Sequence, residues 1–192
     1  LQHIELYRIT HISNISHILQ YGITHKDSVN ANHNYKNIGD PSLIYTRFNK
    51  KVMVRNNSNG ISKEITLGDY IPFYFGVKMP MLYVIQNGGN FIEKTPAKEI
   101  IYLVCQLGEI VNLGNEFYFS DGHATDNLST FYDCDVINQI SSIIDWDAIN
   151  QTYWGGEGNL EIKRKKQAEF LIKGDIPFNY IKKFVTIQHH EA

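Results

Sequence analysis

Three features of the 192-residue chain predict an α+β fold dominated by a mixed or antiparallel sheet. Short runs rich in aromatic and β-branched residues recur from end to end. Only two stretches carry a helical period, and neither an internal repeat nor a linker divides the sequence. Residues 1–192 are therefore read as a single domain.

Residues 5–10 alternate well enough for a strand. Ile12, Ile15, Ile18 and Leu19 then recur at helical spacing, with Ser13 as the N-cap and Gly22 just past the end. Residues 24–37 turn polar, rich in Asn, His, Lys and Ser with no usable period, which predicts a long loop of the kind that often carries function. Residues 52–54 and 61–65 read as strands joined by the turn sequence 56–60. Residues 70–75, 81–85, 99–107, 117–119 and 184–187 read as further strands, 137–146 as helical, and 169–172 as a short strand-like run ending before Gly174.

The composition, 43% hydrophobic with 12% aromatic, is that of a soluble globular domain, and the formal net charge of -2 excludes a protein that is basic throughout. Any polyanion site must be a local patch. Cys105 and Cys134 form no Cys-x-x-Cys pair, so neither a disulfide framework nor a zinc knuckle is expected, and a reducing cytoplasm is the expected compartment. No eighteen-residue apolar run and no signal peptide with a cationic start is present, so no membrane role is expected. The missing initiator Met is read as trimming, which leaves the native N-terminus open.

The most informative stretch is Lys163-Arg164-Lys165-Lys166 running into Gln167, Ala168 and Glu169 at the head of Phe-Leu-Ile. A cationic strip suits a polyanion, and a carboxylate at a strand edge can face a reacting centre. The bland alternatives are a solvated charged face and an exposed Glu paired with a neighbouring Lys. Arg47, Lys50, Lys51 and Arg55 form a second cationic cluster, so a phosphate-tracking groove is possible. Tyr153 and Trp154 offer stacking surfaces or core. Residues 70–75 with 79–82 suit a core strand or an aromatic wall, the core being favoured because aromatic residues bury well. His11 and His123 stand without further ligands at metal-site spacing, so no metal is expected. No P-loop and no Gly-x-Gly-x-x-Gly occurs.

Five segments together resemble the DarT family of DNA ADP-ribosyltransferase toxins. They are Leu6-Tyr7-Arg8-Ile9-Thr10-His11 with residues 15–22; Asn37-Ile38-Gly39-Asp40-Pro41 through Arg47; Gly68-Asp69-Tyr70-Ile71-Pro72-Phe73-Tyr74-Phe75 with Pro80-Met81-Leu82; Phe119-Ser120-Asp121-Gly122-His123-Ala124; and Lys165-Lys166-Gln167-Ala168-Glu169-Phe170-Leu171. They come in the family's order and cover nearly the whole chain. The resemblance implies an ADP-ribosyltransferase core, a split mixed or antiparallel β-sheet with flanking helices. It also implies transfer of ADP-ribose from NAD to a base of single-stranded DNA, usually thymine and in a sister branch guanine, with release of nicotinamide. The chain departs at Gly122, where many relatives carry Ser.

Carried onto this sequence, the resemblance puts the catalytic Glu on Glu169 and the functional Arg on Arg47. It places an NAD contact on His11; Asn14, Gly22, Tyr74 and Arg47 are expected as further NAD contacts, and the cationic strip Lys163, Arg164, Lys165 and Lys166, with Tyr153, Trp154 and His123, is expected to contact DNA. An antitoxin of the DarG macrodomain type is the implied protein partner. In such chemistry the nicotinamide bond breaks through an oxocarbenium-like centre, which a carboxylate in a dry cleft stabilises. The residue 24–37 loop is expected to close over NAD. Other acceptors (RNA or protein), simple NAD hydrolysis and a noncatalytic strand-binding module are the competing readings.

Overall fold

The computed structural model describes residues 1–55, 60, 62–89 and 92–186. In chain order its elements are β1 (Glu5–His11), α1 (Ile15–Tyr21), α2 (Pro41–Asn49), β2 (Lys51–Arg55), β3 (Lys63–Thr66), β4 (Tyr70–Tyr74), α3 (Pro80–Asn87), β5 (Ile100–Gln106), α4 (Leu107–Val111), β6 (Phe117–Ser120), β7 (Phe131–Tyr132), α5 (Ile140–Ile143), α6 (Trp146–Asn150), α7 (Leu160–Lys165), β8 (Glu169–Lys173) and β9 (Ile181–Thr186). The strands form one mixed sheet in the order β3-β2-β7-β6-β8-β4-β1-β5-β9. All the pairings are antiparallel except β2 with β7.

The sheet is thinnest between β4 and β1. Only Tyr7 and Tyr74 pair across that boundary, whereas β1 pairs with β5 along its whole length, from Glu5 opposite Gln106 to His11 opposite Ile100. The expected split is this seam, where two half-sheets touch at one point and then part.

Alternation along the central strands divides the two faces. Phe170 and Ile172 of β8, Ile71 and Phe73 of β4, and Phe117 and Phe119 of β6 enter the main core, with Ile18 of α1, Ile110 of α4 and Ile140 of α5. Leu171, Tyr70 and Tyr118 enter a smaller core on the opposite face. By the same alternation Glu169, Pro72 and Tyr74 lie on the side of the smaller core, where apolar packing gives way to an open cavity.

The sequence reading holds for most strands and fails at three places. Residues 81–85 are helical, within α3: Pro80 sits in the first turn after an extended Met79, and a five-residue apolar run is too short to reveal its period. Residues 137–146 are not one helix but the end of a 3-10 segment (Cys134–Gln139), then α5 and the start of α6. Ser13 is not the cap of α1; it belongs to a 3-10 turn whose cap is His11, accepting from the Ser13 N–H at 3.0 Å. The turn at 56–60, apart from Gly60, and residues 61 and 187 of the expected strands lie outside the described residues.

Candidate active site

Glu169 opens β8, opposite Tyr74 at the end of β4. Its N–H donates to the Ser120 Oγ at 3.2 Å, and that hydroxyl in turn donates to the Gly122 carbonyl at 2.6 Å. Three strand ends are thus drawn to one corner. The Glu169 side chain is fully buried, so it is not an exposed surface acid. Its Oε1 accepts from the Ala124 N–H at 3.0 Å and its Oε2 from Arg47 Nη1 at 2.7 Å. Hydrogen-bond donors on both oxygens satisfy this buried carboxyl group.

Arg47 arrives from the last turn of α2. That helix starts where the sequence Asp40-Pro41 demands: Pro41 enters the first turn, and the Asp40 carboxylate accepts from the Ser42 and Leu43 N–H groups at 2.8 and 3.4 Å. One guanidinium nitrogen of Arg47, Nη2, is buried without a protein partner. Arg47 also forms part of the wall of a cavity of about 300 Å³, beside Tyr74, His123, Pro72 and Arg8. A buried, unpartnered donor on the wall of such a space marks where a ligand acceptor fits.

Tyr74 is half-buried, and burial, reinforced by the Glu169 charge, pushes its hydroxyl well above the ordinary range, while Arg47 and Arg8 pull it back. It stays neutral. Burial likewise lowers His123 below its ordinary 6.5, against the opposing pull of Glu169. His123 Nδ1 lies 2.9 Å from the Thr125 hydroxyl, and its backbone N–H donates to the Arg164 carbonyl at 2.9 Å.

The remaining expected residues do not line this cavity. His11 is buried, with Nδ1 accepting from Ser13 and Nε2 donating to Glu99 at 3.0 Å. Asn14 is buried too: its amide donates to the Thr10 hydroxyl and the Lys36 carbonyl, each at 3.0 Å, and its oxygen accepts from the Lys36 N–H at 2.9 Å. Gly22 has φ 78, and a Cβ there would lie 2.1 Å from the Ile176 carbonyl oxygen. Asn14 and Gly22 act here on the polar loop and its anchors, and His11 on the turn that leads into α1. Asn14 pins the far end of the loop, while at the near end Asp175 accepts from the His25 N–H at 2.7 Å and the Ser28 hydroxyl at 2.5 Å. The loop is already folded against the sheet, with His25, Lys26 and Tyr35 on the cavity wall.

The cationic strip is not a continuous phosphate track. Its residues end α7, and only Lys163 has an exposed residue surface. Arg164 pairs with Asp121 and Glu161 and donates to the Ser129 hydroxyl. Lys165 pairs with Asp145 at 3.0 Å. Lys166 is fully buried, donates to the Ile149 carbonyl and lies 5.4 Å from the Trp154 ring centroid. Burial and the nearby Lys78 charge lower its pKa. Trp154 is therefore a partner of Lys166, while Tyr153 is 69% exposed. The strip braces the loop that follows β6, and that loop delivers the Ala124 N–H to Glu169. Gly122 fits the same account, because a Cβ there would lie 2.4 Å from the Arg164 guanidinium and 2.8 Å from the Ser129 hydroxyl.

Residue-by-residue reading missed Arg8, His25 and Lys26 as wall residues, although Arg8 lies inside a quoted motif and the other two inside the polar loop. Among the described residues no group of three His, Cys, Asp or Glu side chains is placed to hold a metal ion. No helix there is long and apolar enough to cross a membrane.

Comparison with known proteins gives this geometry its context. A DNA ADP-ribosyl transferase of Escherichia coli O127:H6 is 32% identical over 177 residues, covering 92% of this chain and 77% of the relative. The structure of Thermus sp. 2.9 DarT in complex with ADP-ribosylated single-stranded DNA superposes with a TM-score of 0.79 at 27% identity, covering 96% of this chain and 82% of that one. The same protein in complex with NAD+ gives 0.71 at 26% identity, with 96% and 82% covered. A DNA ADP-ribosyl transferase-DNA ADP-ribosyl glycohydrolase fusion protein of Thermosipho africanus is 26% identical over 189 residues, 98% of this chain and 44% of the fusion. The family model described as ssDNA thymidine ADP-ribosyltransferase, DarT, matches residues 7–192, and the chain belongs to that family.

Proposed function

We propose that this DarT-family DNA ADP-ribosyltransferase, with NAD as co-substrate, modifies thymine in single-stranded DNA through Glu169 and Arg47. The observation that carries the assignment of residues is the Arg47–Glu169 pair, with Arg47 on the cavity wall, its Nη2 unpartnered, and Glu169 buried behind it. Breaking the nicotinamide bond leaves positive charge on the ribose, and a carboxylate in a water-poor corner stabilises that charge as it develops. Loading substrate then trades part of the Arg47 contact to Glu169 for contacts to the ribose. The freed guanidinium donors face the acceptor base and stabilise it as its ring nitrogen passes its proton to the Glu169 carboxylate, a role suited to a group that stays protonated. Single strands are the better acceptors because the reacting edge of thymine is already unpaired there, which avoids an extrusion cost of a few kcal/mol.

Thymine is favoured over guanine by the family's description. The fused glycohydrolase of the Thermosipho relative supports a toxin role restrained by a DarG-type macrodomain that reverses the modification, and the cytoplasm is the compartment we propose for it. Incubation of a mixed-sequence single-stranded oligonucleotide with NAD, followed by nucleoside mass spectrometry, tests the reading. ADP-ribosyl-thymidine is expected. Adducts on guanine would move the acceptor, and nicotinamide release with unmodified DNA would leave only a glycohydrolase.

A further inference from the structure

We propose that Arg8 is the counter-charge for the diphosphate of the bound dinucleotide. The inference rests on the NAD-dependent reading above and adds a residue to it. Arg8 lies on β1 beside Tyr7, the one residue that pairs with β4 across the seam. As the half-sheets part, the carbonyl of Pro72 on β4 is turned to the opening, and Arg8 Nη1 donates to it at 3.0 Å. That bond holds the guanidinium on the cavity wall, with no other hydrogen-bond partner among the described residues.

The remaining charges on the wall are already balanced. Lys26 pairs with Asp27 and lies 4.5 Å from the Phe48 ring centroid, and Arg47 pairs with Glu169. Asp40 is engaged by the first turn of α2 through Ser42 and Leu43. Among the described residues no carboxylate lies within ion-pair distance of Arg8. A half-buried guanidinium fixed by one neutral acceptor favours an anion whose paired oxygens match its planar fork. In NAD the negative charge sits on the diphosphate alone, between two neutral riboses and a cationic nicotinamide ring. That group is the one part of the co-substrate complementary to Arg8.

Calorimetry on wild type, Arg8→Gln and Arg8→Lys, with NAD, ADP-ribose and adenosine as ligands at several salt concentrations, tests the assignment. Arg8→Gln is expected to weaken NAD and ADP-ribose by about tenfold or more and to flatten the salt dependence of their binding. Adenosine affinity should stay as in wild type, and Arg8→Lys should recover part of the loss. Equal weakening of adenosine, as from a distorted cleft, or NAD affinity and salt dependence like wild type in Arg8→Gln, would overturn the role of Arg8 while leaving NAD dependence standing. Failure of the wild type to bind NAD would overturn both.

Discussion

Arg47 and Glu169 occupy each other before any substrate arrives, and the side chains around them show why that pair is poised rather than inert. The carboxylate keeps its bond from the Ala124 N–H and the guanidinium is only half spent, so a ligand can engage Arg47 Nη2 and take over part of the Arg47–Glu169 contact without leaving Glu169 bare. Glu169→Gln keeps the shape of the corner and removes the charge that matters at the transition state. Transfer should fall by about a hundredfold or more, with NAD affinity little changed in a binding titration. Arg47→Lys supplies a point charge but not the fork, and should recover little of the activity lost in Arg47→Ala; full recovery in a nicotinamide-release assay would show that charge alone suffices. His123 adds a pH effect. Its pKa is lowered in the fold, so the unfolded chain binds the proton more readily and stability is lost as pH falls below about 6.5 through the folded value. The slope from this one group is at most about 1.4 kcal/mol per pH unit, and urea midpoints of wild type and His123→Asn between neutral and mildly acidic pH should diverge accordingly.

At the scale of elements, the polar loop is better described as a wall than as a hinge. It is fastened at one end by Asn14 and Thr10, which reach Lys36 and Tyr35, and at the other by Asp175. Asn14→Ala removes the acceptor for the Lys36 N–H, a part-buried bond worth about 0.5–1.5 kcal/mol. Hydrogen exchange at that amide should quicken and NAD affinity drop, with the sheet amides of β5 unaffected. The loop's existence was legible from its lack of period, but its fastening was not, because Asn14 and Asp175 show their role only when partners distant in sequence come together. Strands were legible wherever branched and aromatic residues ran between turn signals, and the run at 81–85 deceived for the same reason, its residues suiting either element. Glu169 and Arg47 stood out from charge patterning and took their roles from family likeness, whereas their direct contact, across 122 positions, is a property of the fold. Charge patterning misled most at Lys163 to Lys166, since sequence cannot tell a solvated cation from one buried under a tryptophan.

For the molecule as a whole, the core buries Cys105 of β5 and leaves Cys134 at the surface. Burial pushes the Cys105 thiol up to about 12, so it is unreactive while the sheet is intact. A thiol reagent should label one cysteine per chain in the native protein and both in denaturant; native labelling of both would mean that the seam between the half-sheets opens readily. The strand order also governs how the enzyme comes into being on the ribosome. β8, late in the chain, is inserted between β6 and β4, which are both made earlier, and it carries the carboxylate with it. Until that strand emerges, the nascent chain has two unpaired strand edges, no closed corner and no Glu169. With Glu169 in the role proposed above, translation acts as a safety catch: a copy truncated or stalled before β8 is expected to leave DNA unmodified and to be open to proteolysis, as an activity and protease assay of chains ending before residue 169 would check.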